Sequence, residues 1–218
     1  MVSDRHTIHF CLTGDRFVFL DIRRNRYFTL SSRLGASFAA IAKEGQSQGT
    51  ITSEGLAALT LGDTEAAKAE VAFSRAATPA REDRVARQSA LGVTGRSIAS
   101  ALMSRDCARL LLRFAPFRLV IPSSVTVAEP GLTAAQLDGV DPIAAAFRRM
   151  GMRFGLTGMC LPHTLAFIWM CRLAGYRPSL VIGVRVNPFQ AHCWSQDGAQ
   201  VLNDTIDNVR AYQPILMR

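Results

Sequence analysis

Between Thr7 and Leu30, apolar and polar positions alternate in three short runs separated by turn-forming residues. The runs are Thr7–Leu12, Arg16–Ile22 and Arg26–Leu30; the turns are Thr13-Gly14-Asp15 and Arg23-Arg24-Asn25. Aromatic and β-branched residues fill the runs, which predicts a three-stranded meander. Ser31-Ser32 then caps a helix over about Arg33–Glu44, with Leu34, Phe38 and Ile41 at helical spacing. A short helix around Ser53–Leu59 and another over about Thr64–Ala77, capped by Asp63, follow. Polar, proline-containing Thr78–Asp83 reads as a linker. Beyond it the period is helical from Ala86 to Leu112, with a break at Gly92 and Gly95, and Pro116 and Pro122 bracket an extended piece. Thr133 and Gln136 form a capping box, and Asp141-Pro142 places a cap before a helix running to about Met150. Leu161–Ala174 is an apolar helix ended by Gly175, and Ser179–Val186 a buried strand. His192–Gln196 and Gln200–Leu202 flank the hairpin signal Asp197-Gly198.

Strands followed by helices, then helices followed by strands, predict an α+β chain of two units within 218 residues. The expected division is 1–80, a connector over 81–100, and 101–218. A hydrophobic content of 49% excludes a disordered tail. No apolar run reaches the roughly 18 residues of a membrane span, and no apolar segment follows the first residues as in a signal peptide. The expected location is therefore the cytoplasm. Net charge is +8, yet only Lys43 and Lys68 are lysines and the arginines are scattered. With no basic stretch and no nucleic-acid motif, the charge reads as surface rather than as a nucleic-acid footprint; it suits steering of an acidic peptide or partner.

Five cysteines, an odd number without a CxxC pair, argue against a disulfide framework. Each is then a small buried apolar residue or a nucleophile. Cys160 follows a glycine-rich loop and precedes Pro162, which is tolerated only in a first helical turn. A thiol there faces the helix dipole and unpaired N–H groups, which lower its pKa and can hold an oxyanion. His192, on a strand, can serve as its base, and an acid or amide past the hairpin can orient the imidazole. Strand parity leaves the third member open. A two-residue loop at Asp197-Gly198 sets His192 opposite Asn203; a bulged loop Gln196-Asp197-Gly198 brings Asp204 to the same face. Asp197 is too far from His192, and Asp207 is a poorer candidate. Cys171, mid-helix, and Cys193, of opposite parity to His192, read as core. A zinc set of Cys160, His163, His192 and Cys193 is disfavoured, because adjacent strand residues point to opposite faces. His6, His9 and Cys11 fail in the same way.

The segments Cys160-Leu-Pro-His-Thr-Leu-Ala, Leu173–Val184, Asn187-Pro-Phe-Gln-Ala-His-Cys-Trp194, Asp197-Gly198 and Asn203-Asp204 resemble the lasso peptide biosynthesis B protein family. That family is a transglutaminase-like, papain-like cysteine peptidase that removes the leader from a ribosomal precursor peptide. The resemblance implies a catalytic Cys160, His192 and Asp204, and hence the bulged loop. It implies no cofactor and no metal. Residues from Phe17 to Leu30 onward resemble the PqqD-like, winged-helix-type leader-recognition domain. This implies that the leader adds as a strand along Arg26, Tyr27, Phe28, Thr29 and Leu30. An asparagine-synthetase-like lasso cyclase is the implied partner. Where the family has Ala-His-Ala-Trp, this chain has Ala191-His192-Cys193-Trp194, and no glutamine precedes Cys160 at the papain spacing. The rival readings are an inert leader-binding scaffold and an acyl transferase on the same triad.

Overall fold

The computed structural model describes residues 6–30, 35, 38, 70–73, 79–121 and 131–218. The chain is α+β, as expected. Strands β1 (His6–Thr13), β2 (Arg16–Asp21) and β3 (Arg26–Thr29) form the antiparallel meander, turning at Gly14 (φ +62°) and Asn25 (φ +50°). A fourth strand, β4 (Glu70–Phe73), lies parallel to β1, so the order is β3-β2-β1-β4. This corrects the helix expected over Thr64–Ala77. The free edge of β1 satisfies this backbone in a ladder, and such tertiary pairing overrides local propensity. Gly35 and Phe38 are helical, as expected; the helix expected at Ser53–Leu59 lies outside the described residues.

Next come β5 (Glu82–Asp83), α1 (Val85–Ala90), α2 (Gly95–Phe114), α3 (Phe117–Val120), α4 (Ala134–Phe154) and α5 (Cys160–Leu173). The chain then closes with β6 (Ser179–Arg185), β7 (Gln190–Asp197), β8 (Gln200–Val201), α6 (Ile206–Val209) and β9 (Gln213–Met217). The break between α1 and α2 falls where Gly92 and Gly95 place it. The start of α4 does not: the Thr133–Gln136 capping box begins it, and Pro142 sits inside. Asp141 is a buried carboxylate rather than a cap, because Arg84 takes it in a two-pronged ion pair, Nε to Oδ1 at 2.9 Å and Nη2 to Oδ2 at 2.6 Å. That pairing offsets the cost of burial.

The second sheet runs β5-β8-β7-β6-β9, with α5 packed on β7. Both faces of the first sheet are covered. Phe10, Phe17, Phe19 and Phe28 form one aromatic layer, closed by Phe38 edge-on to three of them at 5.0–5.1 Å. Cys11, Val18, Leu20 and Ile22, on the other face, join one continuous core with Leu165, Ile168, Ile182, Cys193 and Leu216. The unbroken apolar run Phe17–Leu20 reflects this burial on two sides.

Candidate active site

Gly155 and Gly158, with φ of +74° and +67°, turn the chain out of α4 and into α5 at Cys160. No side chain caps this turn, and the first N–H bonded back along the helix is that of His163, to Met159. Pro162 carries no N–H. The N–H groups of Cys160 and Leu161 thus stand at the positive end of the helix, beside the thiol.

His192 lies on β7 opposite Gly183. A Cβ at Gly183 would come within 2.8 Å of the Trp194 ring and 2.9 Å of Tyr212 Cβ, so glycine is what admits the rings around the imidazole. Tyr212 and Trp194 lie 5.1 and 6.1 Å from the His192 ring. His192 Nε2 meets Asp204 Oδ2 at 2.5 Å, which leaves Nδ1 to serve Cys160.

Asp204 reaches His192 by neither of the expected loops. Asp197 pairs with Gln200 and Gln196 with Val201, so the turn is Gly198-Ala199, with Gly198 at φ +52°. β8 then ends after two residues; Leu202 N–H still donates to the Ser195 carbonyl at 2.9 Å, and the chain bends over Leu202–Asp204. That bend frees Asp204 from strand parity. Asn203 turns elsewhere, its Oδ1 accepting from Ser195 N–H at 2.7 Å and its Nδ2 donating to Thr164 Oγ1. Asp197 is engaged at a distance from the site, accepting from Leu132 N–H.

The Asp204 carboxylate also accepts from Thr205 N–H at 2.7 Å and from Asn208 Nδ2 at 3.1 Å. Burial alone would raise its pKa; the His192, Thr205 and Asn208 hydrogen bonds outweigh burial and hold it below the usual range. Burial would lower His192, but Asp204 and Cys160 raise it to about 9. Cys160 is lowered to about 4, first by the thiol of Cys193 and then, against burial, by the hydrogen bond and charge of His192. Cys193 is buried and its own pKa is pushed up, so it keeps its proton and donates. At neutral pH the pair is therefore thiolate and imidazolium.

Residue pattern alone did not single out Asn208, Thr164 or the role of Cys193 beside Cys160. For Cys193, the departure from the Ala-His-Ala-Trp pattern was the signal. Thr164 Oγ1 donates to the Cys193 carbonyl at 3.1 Å, tying α5 to β7 one turn after Cys160. Cys171 is fully buried. His163 turns into the core edge-on to Phe147, and burial lowers it to about 4. Among the described residues no group of three or more His, Cys, Asp or Glu is arranged for a metal ion.

The segment Arg26–Leu30 forms the outer strand of the described first sheet. Phe28 stacks on Phe19 at 5.0 Å, Arg26 and Thr29 are exposed, and Leu30 is half-buried. Tyr27 points the other way, its ring 5.5 Å from Phe189. Its hydroxyl pKa is raised, first of all by burial. Tyr27 and Cys160 both pack against the core to which Cys193 belongs.

No helix among the described residues is long and apolar enough to cross a membrane. Among curated proteins and solved structures, none matches the chain. The family model described as transglutaminase-like superfamily matches residues 101–217, more than half the chain and all three residues of this constellation. A helix-start cysteine, a strand histidine and an aspartate beyond the hairpin are thus set in a chain that belongs to the transglutaminase-like superfamily, where peptidase or acyltransferase chemistry generally runs through a cysteine.

Proposed function

We propose that this protein is the leader peptidase of lasso peptide maturation, a cysteine peptidase that hydrolyses the leader–core bond of a precursor peptide. The observation that carries the chemistry is the Asp204–His192 pair at 2.5 Å beside a Cys160 thiolate at the start of α5. Cys160 Sγ attacks the carbonyl carbon at the junction, and the oxygen gathers charge against the first-turn N–H groups. The His192 imidazolium gives its Nδ1 proton to the departing amine, and the C–N bond breaks to leave a thioester. His192, neutral again and oriented by Asp204, takes a proton from water; hydroxide opens the thioester and Cys160 leaves as thiolate.

The leader docks by strand addition along Arg26–Leu30. What supports this is the position of β3 on the outside of its sheet, with Tyr27 packed against the same core as Cys160, together with the resemblance of Phe17–Leu30 to leader-recognition domains. The freed amine of the core passes to an asparagine-synthetase-like cyclase, the partner in a cytoplasmic pathway. The protein works without a metal or cofactor.

The test is incubation with a precursor peptide encoded beside the gene, read by mass spectrometry. Wild type releases the leader as a free acid. Cys160→Ala abolishes release but retains leader binding, and Asp204→Ala, which leaves His192 Nε2 without its partner, lowers kcat by on the order of 10²–10⁴, the scale of general acid–base catalysis. Release by Cys160→Ala at the wild-type rate refutes the reading. Transfer of the acyl group to an added amine in place of hydrolysis identifies a transferase.

A further inference from the structure

The turn between β6 and β7, Val186–Phe189, leans on the first sheet: a Cβ built on Gly14 would lie 3.9 Å from Val186 Cγ2, and Phe189 carries the Tyr27 ring. Between the two lies a cleft of about 360 Å³, walled by Arg16 and Tyr27–Thr29 on one side and Val186–Phe189 on the other. Its size falls within the ~300–1,000 Å³ of ligand clefts. Tyr27 and Thr29 project from one face of β3 and Phe28 from the other, so what the cleft exposes along β3 is the strand's edge. Its far wall carries Val186, Pro188 and the 48% exposed Phe189 beside the polar Asn187, and among the described residues Arg16 is the one charged group that lines it. Phe189 ends that turn, and β7, which starts at Gln190, carries His192.

This position determines what enters. The inference rests on the proposed function: a leader held on β3 precedes the scissile bond, so the cleft between β3 and the turn that leads to His192 lies on the acyl side. We infer that this cleft is an acyl-side specificity subsite, which takes a large apolar or aromatic side chain from the residues just before the scissile carbonyl, with Arg16 pairing an acidic neighbour. Phe189 and Tyr27 offer a ring surface to that side chain, and the edge of β3 offers backbone hydrogen bonds to the extended peptide. The exposure of Phe189 is explained as a binding wall.

The experiment uses the full chain and a mixture of proteome-derived peptides with blocked amines, with products sequenced by mass spectrometry. Wild type is expected to enrich large apolar or aromatic residues at one fixed position before the cut. Phe189→Ala flattens that position and lowers kcat/KM for an enriched peptide about tenfold or more, the scale of a lost apolar pocket contact. Phe189→Leu shifts the preference from aromatic to aliphatic, and Arg16→Glu turns an adjacent acidic preference basic. Iodoacetamide alkylation of Cys160 in each variant reports that the triad is still assembled. An acyl-side profile unchanged in both Phe189 variants overturns the inference. Failure of the peptidase reading looks different, since wild type then cuts nothing. The same peptides are in that case captured on Cys160→Ala and on Cys160→Ala/Phe189→Ala. Selective loss of apolar peptides from the double variant upholds the cleft, and equal capture overturns it.

Discussion

Replacing Arg84 by Met removes one partner of a buried ion pair that ties the segment between β5 and α1 to α4. Arg84 grips Asp141 at 2.9 and 2.6 Å and also reaches Asp138 at 2.8 Å; the Arg84 and Asp141 side chains are 11% and 2% exposed. Asp141 would keep only Arg87 at 3.6 Å and Gln88 at 3.5 Å. Leaving a buried charge without its partner costs about 3–5 kcal/mol; because Arg87 can close in, the lower end of that range is expected. For a chain of this size each kcal/mol lowers Tm by about 2–4 °C, so a fall of roughly 6–12 °C follows. Methionine keeps the apolar volume of the stem, so the loss reports the charge rather than a cavity. The assay is thermal and urea unfolding of wild type, Arg84→Met, Asp141→Leu and the double variant. The double variant, with no charge left to bury, is expected to regain most of the loss. A single-variant cost under about 1 kcal/mol, or a double variant no better than the singles, would refute the reasoning. The segment also bears on the site. Gln88 Nε2 donates to the Leu202 carbonyl at 2.8 Å, and Asp83 Oδ2 accepts from Ile206 N–H at 2.8 Å. These two bonds hold the chain on either side of Asp204.

With Cys160 lowered to about 4 and His192 raised to about 9, the reactive pair exists between those values. Alkylation of Cys160 should rise through the lower limb, and kcat/KM should fall through the upper one as the imidazolium loses its proton; a rising limb near pH 8.5, as for a free thiol, contradicts the site. Cys193→Ala removes the thiol that donates to Cys160, so the rising limb should move to higher pH with the fold intact; an unmoved limb argues against that donation. Gly183→Ala forces a Cβ against Trp194 and Tyr212 and should cost on the order of 1–3 kcal/mol with a changed near-ultraviolet dichroism, while an unperturbed aromatic signal would show that the rings have room.

The aromatic and β-branched runs between Phe17 and Leu30, the turn residues Gly14 and Asn25, and the Thr133–Gln136 capping box are local devices, so the three strands of the meander and the capping box itself were legible residue by residue, although the helix was expected to begin only at Pro142. The position of Cys160 was legible too, because Pro162 can only occupy a first turn and the glycines before it end α4. What required the tertiary structure was everything decided by a distant partner. β4 forms because β1 has an edge to fill, and Asp141 is buried because Arg84, 57 residues away, reaches it. Asp204 meets His192 because β8 stops after Val201 and the chain bends, which parity along a continued strand does not anticipate. The two halves read as separate units because periodicity reports which face is apolar, not what covers it. Only the packed chain joins Val18 and Leu20 to the core that contains Cys193 and packs Tyr27 and Cys160 against it.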